Sequence, residues 1–366
     1  TMGYWGTQLS RHATWWPYAK PWHRYMARAH FLLQQGRPVF HGLRYPASYE
    51  RAPSMSWHSH GTYRTAQLTD EVLFRDLSVN ESGQLKLPSG AVFDALQLTK
   101  GALRPDALGK IKALAEAGAV IIGSPPPRHS PSLEDYPDCD ARVSEFIDAI
   151  WGPATAGKPA VRKLGNGRVL SGMTFEQAMQ AIERPPDVLW DGPHEKDLRW
   201  NRRDLGEMQV YFLAKFGYET MQGRVSVAGT GLVPEWWNPV DGVIRSLPQF
   251  DSEAGRIRVP VTLGPLESGF LVFRGPVESK PSRGRANFPE WRPIHTFTGD
   301  WQVSFEPRWG GPSGPVRFPV LSDWSGHPDA GIRHYSGPAV YKKSFDWEES
   351  EDPPARRAID LGVLHD

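Results

Sequence analysis

The chain carries one cysteine, Cys139, in 366 residues. It can therefore build neither an intrachain disulfide framework nor a multi-cysteine zinc site. Long apolar runs are missing too. Among the longest is Ala119–Gly123 (AVIIG), far short of the roughly 20 residues a membrane-spanning helix needs. No charge of one sign dominates: 42 Lys and Arg stand against 41 Asp and Glu, for a net charge of +1. The arginines are interleaved with acids, which argues against a nucleic-acid partner. No GxSxG elbow, HExxH helix, phosphate-binding P-loop or GxGxxG after a strand occurs. No signal peptide opens the chain, and Thr1-Met2-Gly3 reads as a cut point, so the sequence decides nothing about export.

Aromatic residues are plentiful, with 15 Trp, 16 Phe and 11 Tyr. Each tryptophan can bury on the order of 200 Å2, worth roughly 5 kcal/mol as an upper bound. Most of these rings are therefore expected in cores, and a few in loops are candidates for stacking against sugar rings.

The stretch Arg11–Gly36 (RHATWWPYAKPWHRYMARAHFLLQQG) divides into two parts. Pro21 suits a first helical position. Trp22, Tyr25, Met26, Ala29, Leu32 and Leu33 follow at helical spacing, and Gly36 supplies a stop. Arg11, His12, Trp15 and Trp16 sit in the polar-aromatic loop before this helix. Two readings of the tryptophans stand: packing at a hinge, or the wall of a sugar-binding cleft.

Strands are expected at Pro38–Tyr45, Leu85–Leu87, Val92–Leu98, Ala119–Gly123 and Arg168–Ser171. Helices are expected over Asp70–Leu77, from Pro105 to Gly118, and over Asp140–Trp151. This alternation indicates a doubly wound α/β domain. The pattern then changes. Gln209–Ala214, Gly223–Val227, Val233–Trp237, Val243–Leu247, Ile257–Leu263 and Ser268–Phe273 are short strand-like runs with no helical pattern between them, as in an antiparallel β-sandwich. A Pro/Gly-rich stretch reads as a linker. A second β-rich unit follows at His295–Phe305, Val316–Phe318, Ala339–Phe345 and Arg357–Leu361. With about four strands visible where a sandwich has seven or more, the chain is expected to stop inside a domain.

Candidate chemistry is sparse. Cys139 lies between Asp138 and Asp140, which disfavours a thiolate. His58 and His60 are two apart, but no carboxylate stands at a metal-ligand spacing from them. Glycoside cleavage needs two carboxylates some 5–9.5 Å apart. Glu134-Asp135, Asp138/Asp140 and Glu348–Asp352 read instead as helix starts or solvated loops. No catalytic or metal-binding residue is assigned.

Several stretches in order carry a resemblance. They are RHATWW…YMARAHFLLQQG, LKLPSGAVFDALQL, AEAGAVIIGSPPPRHSPSLEDYPDCDARVSEF and GNGRVLSG. Together they resemble glycoside hydrolase family 106, whose known members are α-L-rhamnosidases. EWWNPVDGVIRSLPQF with ESGFLVFR looks like the β-domain that follows in such enzymes. The run from GDWQVSFEPRWGG to AIDLGVLHD is similar to a galactose-binding-like jelly roll of the family 2 sugar-binding type.

The resemblance implies an inverting, calcium-dependent hydrolase of rhamnose-containing oligo- or polysaccharides, periplasmic or secreted. It also implies that the catalytic barrel and its acid and base lie before Thr1. The expected layout is 1–20 as the tail of that barrel, 21–185 as an α/β domain (amidotransferase-like, flavodoxin-like), 186–275 as a β-sandwich, 276–290 as a linker and 291–366 as an incomplete jelly roll. Arg11, His12, Trp15, Trp16 and His23 are the expected sugar contacts, and calcium is implied for the parent enzyme, with no ligand assignable in this chain. Nucleic acid and membrane are not expected partners, and the oligomeric state stays open. The alternative is a free-standing carbohydrate-binding or assembly module.

Overall fold

A computed structural model describes residues 15–47, 62–152, 158–229, 231–276, 286–288, 292–347 and 357–361. They form two compact units, one of residues 21–289 and one of residues up to 20 together with those from 290 onward.

The larger unit opens with helix α1 (Lys20–Gln34), with Pro21 in its first turn. Its apolar side is the periodic one expected from Tyr25 onward, whereas Trp22, expected on the same face, is 45% exposed, and the partner of that side lies far along the chain. Ala29, Leu32 and Leu33 pack against Val210, Phe270 and Val272 of the β-sandwich. The Tyr25 and Ser268 hydroxyls hydrogen-bond at 2.8 Å, and Arg28 donates to the Pro239 and Val240 carbonyls. Strand β1 (Arg37–Pro38) then pairs with Asp204 and Arg203. Residues 21–38, assigned from sequence to the α/β domain, therefore belong to the sandwich. Periodicity identifies the face a helix buries and not what covers it.

The α/β layer follows in chain order: β2 (Gly42–Tyr45), β3 (Thr65–Gln67), α2 (Asp70–Arg75), β4 (Ser78–Val79), β5 (Leu85–Lys86), β6 (Val92–Phe93), β7 (Ala95–Leu98), α3 (Pro105–Ala117), β8 (Val120–Ile122), α4 (Asp138–Trp151), β9 (Ala160–Leu164), β10 (Gly167–Ser171) and α5 (Phe175–Ala181). The main sheet has the order β3-β2-β7-β8-β10-β9 and is parallel except for β9 at one edge. Leu43, Leu96 and Ile121 face α3 and α4, packing with Leu108, Ile111, Val143 and Ile147. On the opposite side Ala95, Ile122 and Leu170 pack against Phe175 and Met179 of α5. A parallel sheet covered on both faces is the arrangement an all-apolar strand such as β8 requires.

The strand expected at Val92–Leu98 is two strands, because β6 joins a small sheet with β4 and β5 while β7 enters the main one. Helix α5 was not anticipated, although its start is marked: Thr174 and Gln177 form a capping box.

The sandwich contains β11 (Val188–Asp191), β12 (Leu198–Asp204), β13 (Met208–Lys215), β14 (Met221–Ala228), β15 (Leu232–Trp237), β16 (Ile244–Ser246), β17 (Asp251–Glu253), β18 (Arg256–Leu263) and β19 (Ser268–Pro276). Two antiparallel sheets, β1-β12-β13-β19-β15-β16 and β11-β14-β18-β17, enclose Trp190, Tyr211, Leu213, Val225, Trp236, Val259, Leu271 and Phe273. In β13 the residues alternate: Tyr211 and Leu213 turn into this core, while Val210 and Phe212 turn toward α1. The linker expected at 276–290 is not free at 287–288. Asn287 is buried and exchanges hydrogen bonds with Gln249, and Phe288 lies edge-on to Trp236.

In the smaller unit β20 (Trp301–Phe305) pairs with β21 (Val316–Phe318) and β22 (Ala339–Lys342), and helix α6 (Ala330–Arg333) lies between the last two in sequence. Tyr335 joins Val303, Phe305, Phe318 and Ile332 in its core. Its hydroxyl accepts from the Glu306 amide and donates to the Pro338 carbonyl. Strands expected to start at His295 and to run to Phe345 are shorter, and 357–361 pairs with no strand. Among the described residues no helix is long and apolar enough to cross a membrane.

Candidate functional site

Of the residues singled out from sequence, Arg11 and His12 lie outside the described residues, as do His58 and His60. Trp15 caps a single 3-10 turn, Trp16–Tyr18, shaped by Pro17. The Tyr18 and Ala19 amides donate to the Trp15 and Trp16 carbonyls. The turn leaves both indoles substantially exposed, Trp15 at 41% and Trp16 at 38%, with ring centroids 6.0 Å apart and planes tilted by 58°. His23 is exposed in the first turns of α1, its ring edge-on to Trp22 at 4.9 Å. The structure thus brings Trp15 and Trp16 side by side and sets His23 against Trp22. Cys139 is buried at the start of α4.

Among the described residues a buried polar constellation lies where the α/β layer meets the sandwich, formed by residues that sequence reasoning passed over. Each is delivered by the start or body of a strand: His41 before β2, Arg64 before β3, Asp187 before β11, and Trp200 and Arg202 on β12. Arg202 Nη1 donates to Asp187 Oδ1 at 2.6 Å. His41 Nε2 stands 3.7 Å from Asp187 Oδ2, an ion-pair distance and too long for a hydrogen bond. His41 Nδ1 accepts the Arg64 amide proton at 3.1 Å, which places the neutral ring's proton on Nε2. The Arg64 guanidinium lies over the Phe40 and Trp200 rings. Arg256 donates to the Pro186 and Asp187 carbonyls, holding the backbone on which Asp187 rides.

Burial governs the titration of this seam. The His41 imidazole is pushed below its ordinary value by desolvation, which outweighs the attraction of Asp187 and Asp94. Desolvation also brings the Arg64 guanidinium down to about 10. One carboxylate enclosed by guanidinium and imidazole groups is a brace between layers. Asp94, the nearest further carboxylate acting on His41, is itself engaged by Gln84 and Arg184. An open groove of about 490 Å3 beside Tyr63 is lined by Glu176, Glu183 and Arg184. Among the described residues no group of three or more His, Cys, Asp or Glu side chains is gathered to hold a metal.

The signal for the seam was present in LRWNRRD, a strand with three arginines and an aspartate. So charged a strand reads as loop, and the neighbouring α/β layer is what allows it to be half-buried.

The described residues thus form a multidomain, β-rich protein with one parallel α/β layer. The sequence profile of glycoside hydrolase family 106, described as alpha-L-rhamnosidase, matches residues 1–252. The chain belongs to that family. It is 26% identical to the rhamnosidase from Novosphingobium sp. PP1Y, whose solved structure superimposes with a TM-score of 0.74 over 90% of this chain and 31% of that one. It is also 29% identical over 286 residues to a Formosa agariphila protein named "Putative beta-glucuronidase", covering 76% of this chain and 23% of that protein. The chain therefore spans less than a third of the length of either relative, 31% of one and 23% of the other.

Proposed function

We propose that this chain is the non-catalytic supporting portion of a glycoside hydrolase that cleaves α-L-rhamnosidic bonds in plant or microbial oligo- or polysaccharides. The family match over residues 1–252 carries the reading. The supporting role follows from the chemistry of the seam. Family-type hydrolysis needs two carboxylates placed about 5–9.5 Å apart around a sugar, whereas Asp187 is closed in by Arg202 and His41. The acid and base then reside in another part of the parent enzyme, where calcium is also bound. Among the described residues no group of three or more His, Cys, Asp or Glu side chains is gathered to hold that ion.

The sugar contacts of this portion are assigned to the loop of Arg11, His12, Trp15 and Trp16, and to His23. Support comes from the two exposed, mutually tilted indoles, which offer apolar faces to a pyranose ring. The smaller unit, with its antiparallel sheet and exposed Trp309, is read as a galactose-binding-like domain. A periplasmic or secreted parent enzyme is the reading that suits a polysaccharide substrate.

The test is an assay of the purified chain on an aryl α-L-rhamnoside and on rhamnose-bearing oligosaccharides, paired with calorimetric titration by L-rhamnose. The expected result is no turnover with saturable heat of binding. Turnover overturns the supporting role. Absence of heat at millimolar sugar removes the sugar contacts and leaves scaffold alone.

A further inference from the structure

We propose that the tip of the β-sandwich bearing Phe216, Tyr218 and Leu266 is a docking platform for a glycan chain. The inference rests on the glycoside hydrolase reading and adds a contact that residues of the sandwich make on their own.

Two turns build the tip. Phe216, Gly217 and Tyr218 lie between β13 and β14, and Leu266 lies between β18 and β19. The Leu266 amide donates to the Gly217 carbonyl at 3.2 Å, and the Lys215 amide donates to the Glu267 carbonyl at 2.9 Å, so the turns stand side by side. Phe216 is 49% exposed, Tyr218 82% and Leu266 58%. Single exposed apolar side chains are ordinary on a protein surface. Three large ones gathered on adjoining turns form a patch of the kind that marks an interaction site.

Leu266 adds a second, independent sign. Its φ is +53°, in the left-handed region that a bulky residue enters only at a cost. More than half of its surface is exposed, so burial within the chain does little to offset that cost. Strain of this kind collects at sites that hold ligands, and a leucine held outward has a use where an apolar surface arrives.

The platform is fixed from beneath. The Phe216 amide donates to the Asp197 carbonyl at 2.9 Å, and the Gly264 amide donates to Glu267 Oε2 at 2.7 Å. The Lys215 side chain is fully enclosed, its ammonium donating to the Phe216 carbonyl at 2.8 Å and lying 3.7 Å from Asp197 Oδ2. Gly217, at a φ of +94°, leaves room for it, since a Cβ there would stand 3.3 Å from Lys215 Nζ. The Arg199 guanidinium lies over the Phe216 ring, 5.1 Å from its centroid. A surface so held loses little conformational freedom when a ligand settles on it.

The residue types point to a glycan. Sugar rings present C–H faces to aromatic and aliphatic side chains and hydroxyls to polar ones, and Tyr218 offers both a ring and a phenol. Glu219 and Thr220 follow it and are exposed, adding a hydroxyl acceptor and a group that donates or accepts. Carried on exposed turns rather than sunk in a cavity, the patch suits a run of sugar units more than a single ring. The family's rhamnosidase description makes a rhamnose-bearing polysaccharide the chain to test.

The experiment is calorimetric titration of the purified chain with soluble rhamnogalacturonan, alongside Tyr218→Ala, Leu266→Gly and Trp15→Ala. The expected result is saturable binding by the wild-type chain, weakened roughly tenfold in each tip variant, as loss of a stacked ring or its apolar neighbour predicts. Leu266→Gly relieves the left-handed strain, so its melting temperature should hold or rise while binding falls, a combination that unfolding cannot produce. No heat with the polysaccharide, or unchanged affinity in Tyr218→Ala and Leu266→Gly, overturns the proposal. Binding lost in Trp15→Ala and kept in both tip variants also overturns it, and leaves the rhamnosidase reading and its Trp15 loop standing. Self-association of the wild-type chain that Tyr218→Ala abolishes, with no polysaccharide bound, makes the tip an interface between copies and overturns the proposal as well.

Discussion

The Arg202 guanidinium lies 2.6 Å from the Asp187 carboxylate at the seam between the α/β layer and the sandwich, with side-chain exposures of 17% and 13%. Removing one member of so enclosed a pair strands the other charge, at a cost of about 3–5 kcal/mol. Asp187→Asn and Arg202→Met should each lower unfolding free energy by about that much. Arg202→Met also loses the stacking of the guanidinium over Tyr211. The double variant should be less damaged than the sum of the two, because neither charge is then left alone. Urea titrations of the four proteins, followed by tryptophan fluorescence, measure this. Simple additivity would mean that the two side chains do not act as a pair.

That seam also marks where sequence reading stopped. The sandwich strands between 208 and 276, apart from the exposed β17 (Asp251–Glu253), were legible because their apolar residues alternate or run continuously, as QVYFLA does in β13. Helix α3 was legible from Pro105 at its start, Gly118 at its end and the buried face Ala107, Leu108, Ile111, Leu114 and Ala115 between them. Strand β12 was not, because LRWNRRD has the composition of a solvated segment. Arg202 pairs with Asp187, Asp204 with Arg37, and Arg203 donates to the Gln35 and Gly36 carbonyls, and such pairing with distant residues leaves no local periodicity. The covering of α1 was hidden for the same reason: Val210 and Phe270 lie far beyond any local window. The row of Arg44, Gln67 and Gln97 across the parallel sheet was equally hidden, since these residues come together only through sheet register.

His41 sets an acid limit on the seam. Its folded-state affinity for a proton is lowered chiefly by burial, whereas in the unfolded chain it titrates near its ordinary value of 6.5. Above that value both states are neutral and the histidine costs nothing. As pH falls below it the unfolded state takes up the proton first, so stability is lost until the lowered folded-state value is reached. His41→Gln cannot titrate and should flatten this slope. Melting temperatures of both proteins at pH 7.5 and pH 5.5 read the effect. An equal acid-side loss in the variant would assign the slope to other groups.

Trp15 and Trp236 should separate binding from packing. Trp15 is 41% exposed, whereas Trp236 is 2% exposed inside the sandwich. The turn at Trp15 uses its carbonyl rather than its ring. Trp15→Ala is therefore expected to shift the melting temperature by a few degrees at most while weakening rhamnose binding about tenfold. Trp236→Ala should cost about 3–5 kcal/mol. Melting curves and sugar titrations of both variants test this pair, and a large loss of stability in Trp15→Ala with unchanged affinity would assign the exposed indole to packing.

The closest approach in the sandwich core gives the strongest steric prediction. Gly269 on β19 pairs with Leu213 of β13, and a Cβ added there would land within the van der Waals envelope of the Trp236 indole. That ring is enclosed and edge-on to Phe288 at 5.3 Å, so it has no open side to move toward. Alanine within a strand normally gains about 0.5–1 kcal/mol over glycine, but overpacking a filled core costs about 1–3 kcal/mol. The overlap here is with a rigid ring, which puts the cost at the upper end, and Gly269→Ala should lower unfolding free energy by about 2 kcal/mol. Gly314 is the control: no atom lies within 4 Å of a Cβ there, so Gly314→Ala should be close to neutral. Combining Gly269→Ala with Trp236→Leu should cost less than the sum of the two single changes, because the smaller side chain leaves room for the methyl group. If Gly269→Ala proves neutral in urea unfolding, the core is loose enough for the indole to shift, and the glycine is not required by packing.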